Sequence, residues 1–227
     1  MTTSGTYNFA PDLGTLFLSA FSRIQVKRTE LTPQHLQDAR LEANYLQQAW
    51  LNDGLTLWTV DLQTVPLVAG TATYSVPANT VMMLDLYVSV NGGSNRLLMP
   101  FSRTDFASLS NPNESGFPTS WWFDRIVAPT VTLWPVPDSN ATYVMYYYRY
   151  RNVQDAVSAN GGQPEIPYLW QDAYVAGLAH RLSRSYAPPL EAQRSVDYDK
   201  AYALAAKQGT ENVPLWLTVG LSGYFRS

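Results

Sequence analysis

Apolar residues recur along this chain in two rhythms, and the switches between them divide it into three stretches. Leu13, Leu16, Phe17, Ala20 and Phe21 are spaced by three and four, which predicts a helix with one buried stripe. Asp12 stands before them as an N-cap, so the helix runs from there to about Arg23. A second start follows at Thr32, with Pro33 at the first helical position and His35 three residues after the cap. Leu36, Ala39, Ala43, Leu46 and Trp50 keep the helical step, and Asn52-Asp53-Gly54 closes this long helix.

The rhythm then changes to two. Thr59 to Val65 alternates, Gly70 turns the chain, and Thr73 to Pro77 follows, so a hairpin is predicted from these two runs. Val81 to Val90 reads as a buried strand, and Asn91-Gly92-Gly93 as a hairpin turn into Arg96 to Met99. Ser102 to Leu109 suits a short helix, and Asn111 to Pro118 a loop rich in breakers. Strands are expected at Ser120 to Ile126, which carries Trp121, Trp122 and Phe123, and at Thr130 to Trp134. Pro135 and Pro137 end the latter, because proline cannot donate to a ladder. After a turn at Asp138-Ser139-Asn140, Thr142 to Arg151 forms a strand with Tyr143, Tyr146, Tyr147, Tyr148 and Tyr150.

Helical spacing returns after Asn160-Gly161-Gly162, with Pro167 in a first turn. Leu169, Ala173, Ala176, Ala179, Leu182 and Tyr186 form one stripe, which Pro188 and Pro189 stop. Val196, Tyr198, Ala201, Tyr202 and Ala205 form another, ended by Gly209. The predicted fold is α+β, a helical bundle from both chain ends (12–54 and 165–209) with an inserted antiparallel β-domain (55–164), sandwich or barrel-like. Residues 210–227 make a C-terminal arm whose Val213-Pro214-Leu215-Trp216-Leu217-Thr218-Val219 run is apolar, where chain ends are usually polar and loose. Such an arm either docks on its own domain or inserts into a partner. In the second case Trp216, Leu217, Tyr224 and Phe225 are the expected anchors, since buried aromatic groups dominate interface energies.

Composition sharpens this picture in a few places. Of 227 residues, 46% are hydrophobic, enough for a core, while only 15% are charged, against the usual quarter or so. A surface so poor in charge suits burial under partners. The 7 Trp and 15 Tyr fit either an interface or a tyrosine-rich β-core. A net charge of −3 argues against a grip on nucleic acid through phosphate neutralisation, but it is compatible with a channel through which DNA slides. Lysine occurs only at Lys27, Lys200 and Lys207, and the other bases are arginine, which suits desolvated ion pairs. Cysteine is absent, which excludes disulfides and thiolate sites. Pro11 and Asp12 precede the first apolar run, unlike a signal peptide, and no run reaches the roughly 18 apolar residues of a membrane span, so a soluble protein is expected.

Candidate chemistry is sparse. His35 and His180 each lie alone on a helix, so no metal site is predicted. The Gly-Gly pairs at 92–93 and 161–162 lack the lysine and helix of a phosphate loop and read as turns. Asp38 with Glu42, or Asp197 with Asp199, could in principle serve glycoside cleavage, but a solvated helix face is the simpler account. Trp121 and Trp122 could stack sugars or fill a core. No catalytic, cofactor-binding or metal-binding residue is predicted.

Four segments together resemble the head-to-tail adaptor (connector) proteins of tailed bacteriophages, the tail tubular protein A-like group. They are Leu36 to Trp50 leading into Asp53-Gly54-Leu55-Thr56-Leu57-Trp58-Thr59-Val60; Gly70 to Pro77; Pro118 to Arg125 with Leu133 to Asp138; and Ile166 to Ala179. The resemblance implies a structural virion protein rather than an enzyme, made in the host cytoplasm and placed at the head-tail junction. It implies a homo-oligomeric ring, usually of twelve copies, beneath the portal protein. The helical part would face the portal and the β-part the tail nozzle or tail tube, with DNA passing through the axial hole without sequence-specific binding. Some relatives are linked to peptidoglycan cleavage, which gives a virion-associated cell-wall hydrolase as the alternative. A carbohydrate-binding β-module using Trp121 or Trp122 is a third reading.

Overall fold

The computed structural model describes residues 5, 9–54, 57–156 and 162–208. Helix α1 (Leu13–Arg23) starts where Asp12 accepts a hydrogen bond from the Thr15 N–H at 3.0 Å. Helix α2 (Pro33–Asp53) starts in a reciprocal cap. The Thr32 hydroxyl accepts from the His35 N–H, and His35 Nδ1 accepts from the Thr32 N–H. Gly54 ends α2 at φ 72°, a left-handed backbone that glycine adopts without a Cβ clash.

The strands build two four-stranded sheets. The first has the order β1 (Val60–Pro66), β10 (Tyr143–Arg151), β3 (Thr80–Val90) and β4 (Asn95–Leu97). The second has the order β2 (Thr73–Ser75), β8 (Thr130–Trp134), β7 (Ser120–Asp124) and β5 (Met99–Pro100). Pairing is antiparallel except for β5 with β7 and for the small pair β6 (Ser115–Gly116) with β9 (Val136–Pro137). Both sheets keep open outer strands, so the β-part is a sandwich and not a barrel. Helix α3 (Arg103–Ala107) is capped by Ser102. Helices α4 (Gln171–Tyr186) and α5 (Glu191–Gln208) complete the bundle, joined by a short 3₁₀ turn at Pro188–Leu190.

The α+β arrangement matches the sequence reading, with helices from both ends around an inserted β-part. The predicted hairpin of 59–65 with 73–77 does not form. β1 pairs with β10 and β2 with β8, in different sheets. Alternation specifies which face of a strand is buried but names no partner, and β10 offers β1 a seven-residue ladder where β2 has three residues to give. The Val81 to Val90 run is buried only in part. Met83, Leu86 and Val88 point inward, while a register shift opposite Tyr147 to Arg149 leaves Leu84 exposed. Leu36, Leu169 and Val196, placed on buried stripes by spacing, are also exposed.

Two clusters of buried side chains result. In the helices, Phe17 and Phe21 of α1, Leu46 and Trp50 of α2, and Tyr174 and Leu178 of α4 are almost fully buried. α4 is central and packs on α1, α2 and α5. Gly177 permits this closeness, because a Cβ there would lie 2.8 Å from the Tyr198 ring and 3.0 Å from Leu46. In the sandwich, Leu86, Val88, Met145 and Tyr147 of the first sheet meet Trp121, Val131 and Leu133 of the second. Each such side chain contributes about 1.5–3 kcal/mol through burial.

Candidate assembly surfaces

The two clusters meet where β1 begins and β10 ends, near the helices, and a charged group lies at that meeting. Along β10 the inward side chains are Tyr143, Met145, Tyr147 and then Arg149, so the alternation carries an arginine into a buried position. Arg149 is 6% exposed and donates from Nε to Asp61 Oδ1 at 2.7 Å and from Nη2 to Oδ2 at 3.0 Å. Its Nη1 donates to Asn79 Oδ1 and Thr80 Oγ1 at 2.8 and 2.9 Å. Such a fork satisfies a buried guanidinium that would otherwise be costly. Arg151 lies 3.3 Å from the same Asp61 and grips Glu165 with two nitrogens. Burial alone would raise the Asp61 carboxyl. Hydrogen bonds from Arg149 and Gln63, with the charges of Arg149 and Arg151, outweigh it and hold the group below its usual value. The hydrogen bond from Arg151 holds Glu165 low against burial.

Neutral bonds complete this joint. Trp58 Nε1 donates to the Glu165 carbonyl at 3.0 Å, and the Tyr150 hydroxyl donates to the Leu51 carbonyl at 3.1 Å. The Ala156 N–H donates to Asn44 Oδ1 at 2.9 Å. Asn44 also lines a cleft of about 380 Å³ with Gln47, Gln48, Asn52, Asn152 and Asp155, mostly carboxamides with one carboxylate.

Around this frame, apolar side chains face outward in groups. On α2, Leu41 and Tyr45 are about half exposed and lie one turn apart. On α5, Val196 and Leu204 do the same over two turns. Phe9 meets Tyr168 edge-on at 6.1 Å, with exposed Leu169 beside Tyr168 in the chain. The turn between β7 and β8 carries Ile126 and Val127, the latter 97% exposed. On the outer face of the first sheet, Leu62 stands opposite Tyr148, and Tyr146 stacks on Tyr87 at 5.1 Å with Leu97 next in register.

Most of the residues singled out for chemistry are otherwise occupied. His35 caps α2 and stacks on Tyr186 at 4.5 Å, and His180 lies 3.4 Å from Glu191. Asp38 accepts from Tyr186, whose hydroxyl is pushed up to about 12 chiefly by that bond. Glu42 pairs with Arg181 and Asp197 with Arg194. Trp121 is buried with its Nε1 donating to the Leu98 carbonyl, and Trp122 stacks on Phe106. Among the described residues, no group of three or more His, Cys, Asp or Glu could hold a metal ion, and no helix is long and apolar enough to cross a membrane. Trp216, Leu217, Tyr224 and Phe225 lie outside the described residues. Sequence reasoning missed the Asp61, Arg149, Arg151 and Glu165 group. Its signal was an arginine in phase with the buried face of an aromatic strand.

No curated protein matches the chain. The profile of the SU10 adaptor protein family matches residues 12–215, from the cap of α1 to beyond the end of α5. That span takes in both buried clusters and the charged joint between them, so the chain belongs to the SU10 adaptor protein family, in keeping with its resemblance to phage head-to-tail adaptors.

Proposed function

We propose that this protein is a structural head-to-tail adaptor whose copies form a ring between the portal and the tail of a phage particle, with DNA passing through the central hole. The observation that carries the reading is the outward-facing apolar pairs on two different helices, Leu41 with Tyr45 on α2 and Val196 with Leu204 on α5. Two unlike patches on one subunit suit a heterologous contact, in which α2 of one copy meets α5 of the next and the contacts close into a ring. Membership of an adaptor family supports an assembly role, and the low fraction of charged residues leaves much of the surface ready to be covered. The helical part is assigned to the portal, and the sandwich to the tail nozzle or tube. A negative net charge suits passage of DNA without retention.

The test is assembly on purified portal rings, followed by sedimentation and electron microscopy. The wild-type protein is expected to form a closed ring on the portal. Tyr45→Asp and Leu204→Asp should each lower ring occupancy at least tenfold while leaving the melting temperature within a few degrees. Rings that form equally well with both substitutions would overturn this assignment of the lateral contact.

A further inference from the structure

The first sheet ends in two open edges, β1 on one side and β4 on the other. Antiparallel bonding alternates along a ladder, so the residues that turn outward at each edge can be counted off. The Leu67 N–H donates to the Tyr143 carbonyl at 2.9 Å. Asp61, Gln63 and Val65 therefore bond to β10, while Leu62 and Thr64 turn their N–H and C=O groups away from the sheet. At the far edge the Leu98 N–H donates to the Leu86 carbonyl at 2.9 Å, and the Val90 N–H to the Ser94 carbonyl at 3.2 Å. Arg96 therefore bonds to β3, while Asn95 and Leu97 turn outward. Among the described residues nothing pairs with these outward groups. Proteins usually guard such edges with charge, proline or a bulge, because unpaired groups template another strand. All four outward residues are uncharged, and Leu62 and Leu97 are 42% and 67% exposed.

We propose that β4 of one copy adds antiparallel to β1 of the next, so that the first sheets run on from copy to copy around the ring. This rests on the ring reading above and deepens it by naming a contact within the β-part. Three properties of the two edges support it. The first is sense. Each strand of this sheet is antiparallel to its neighbour, so β4 runs against β1. A following copy in the same orientation then brings an antiparallel β1 to β4.

The second is the face. Leu62 shares its face with Tyr148, and Leu97 shares the same outer face through Tyr87 and its stacked partner Tyr146. Residues bonded across a ladder carry their side chains on one face, so the joined sheet keeps its buried face continuous.

The third is register. One register uses both outward residues of each edge, with Leu62 opposite Leu97 and Thr64 opposite Asn95. The leucines then meet between Tyr148 and Tyr87, and the two polar side chains lie side by side. In the same register Pro66, which has no N–H, falls opposite Gly93, whose N–H already donates to the Val90 carbonyl at 2.9 Å. The ladder thus stops at one place on both strands. Pairing of β1 with a second β1 is two-fold, closes a pair and leaves β4 open, whereas unlike edges continue and close a ring.

The chain has no native cysteine, so introduced thiols report the intended contact alone. Opposed Cα atoms in a bonded antiparallel pair lie about 5.5 Å apart, within reach of a disulfide. The full chain bearing both Thr64→Cys and Asn95→Cys, assembled on purified portal rings and mildly oxidised, should give a ladder of covalent multimers on a non-reducing gel. Either substitution alone should give monomer. In the wild type, amides of 62–64 and 95–97 should exchange hydrogen at least tenfold more slowly in the ring than in the free subunit. Dimers from Thr64→Cys alone would overturn the pairing in favour of β1 with β1. Slow exchange of 62–64 already in the free subunit would overturn it in favour of cover from the same chain. Rings that neither cross-link nor gain protection would overturn this contact and leave the ring reading standing, and failure of the wild type to form rings would overturn both.

Discussion

At the scale of single residues, the bundle depends on one missing side chain. Gly177 sits in the middle of α4, where glycine costs about 1 kcal/mol relative to alanine in an isolated helix. The fold accepts that cost because Leu46 and Tyr198 close over the bare backbone from α2 and α5. Leu46 is 1% exposed, and the Tyr198 hydroxyl is held by Trp50, so neither can move aside freely. Gly177→Val places two methyl groups in this contact and should cost about 1–3 kcal/mol through overpacking, despite any gain in helix propensity. Urea unfolding followed by far-ultraviolet circular dichroism would read the loss. An unchanged midpoint would mean that α2 and α5 are not fixed against α4 as closely as described.

At the scale of elements, the charged joint holds the end of β10 to the segment that leads into α4. Both Asp61 and Glu165 are held below their usual values, so their unfolded forms bind protons more readily than their folded forms. Their contribution is therefore complete above about pH 4.5, the ordinary carboxyl range, and is lost as the pH falls through the lower folded values. Glu165→Gln should cost about 1.5–3 kcal/mol at pH 7, the range for hydrogen bonds to charged groups, and should flatten the acid limb of melting temperature against pH. A parallel downward shift at every pH would assign the loss to packing instead. The elements of this joint were largely legible in the sequence, but the joint was not. Caps at Asp12 and Thr32, the Gly54 stop and the proline break after Tyr186 are local signals, and all lie where spacing puts them. The pairing of Asp61 with Arg149 spans 88 positions, and no local rhythm encodes it. The false hairpin fails for the same reason, since β1 chose a partner far along the chain. Leu36 and Val196 fit the helical step but are exposed, since spacing does not distinguish core from surface at the margin of a stripe, while Leu169 lies in the 3₁₀ turn Tyr168–Trp170 ahead of α4, where the α-helical step does not apply.

At the scale of the whole molecule, the nature of the outward patches predicts how the assembly responds to salt. Leu41, Tyr45, Val196 and Leu204 offer apolar area and no charge, and burial of such area is insensitive to ionic screening. Exposed ion pairs behave differently, since at about 1 M salt the Debye length falls to about 3 Å and their attraction is largely lost. The charged residues near these patches are partly engaged within their own copy, as Arg181 is with Glu42 and Arg194 with Asp197. Rings assembled on the portal should therefore persist, or become more populated, when salt is raised from about 0.1 M to about 1 M, as followed by sedimentation velocity. Using sodium sulfate in place of chloride should strengthen them further, because sulfate is excluded from apolar surface. Dissociation at high salt would show that charges carry the lateral contact, and the search for it would move from the apolar patches of α2 and α5 to the more exposed ion pairs, Arg23 with Asp172 and Arg184 with Glu191.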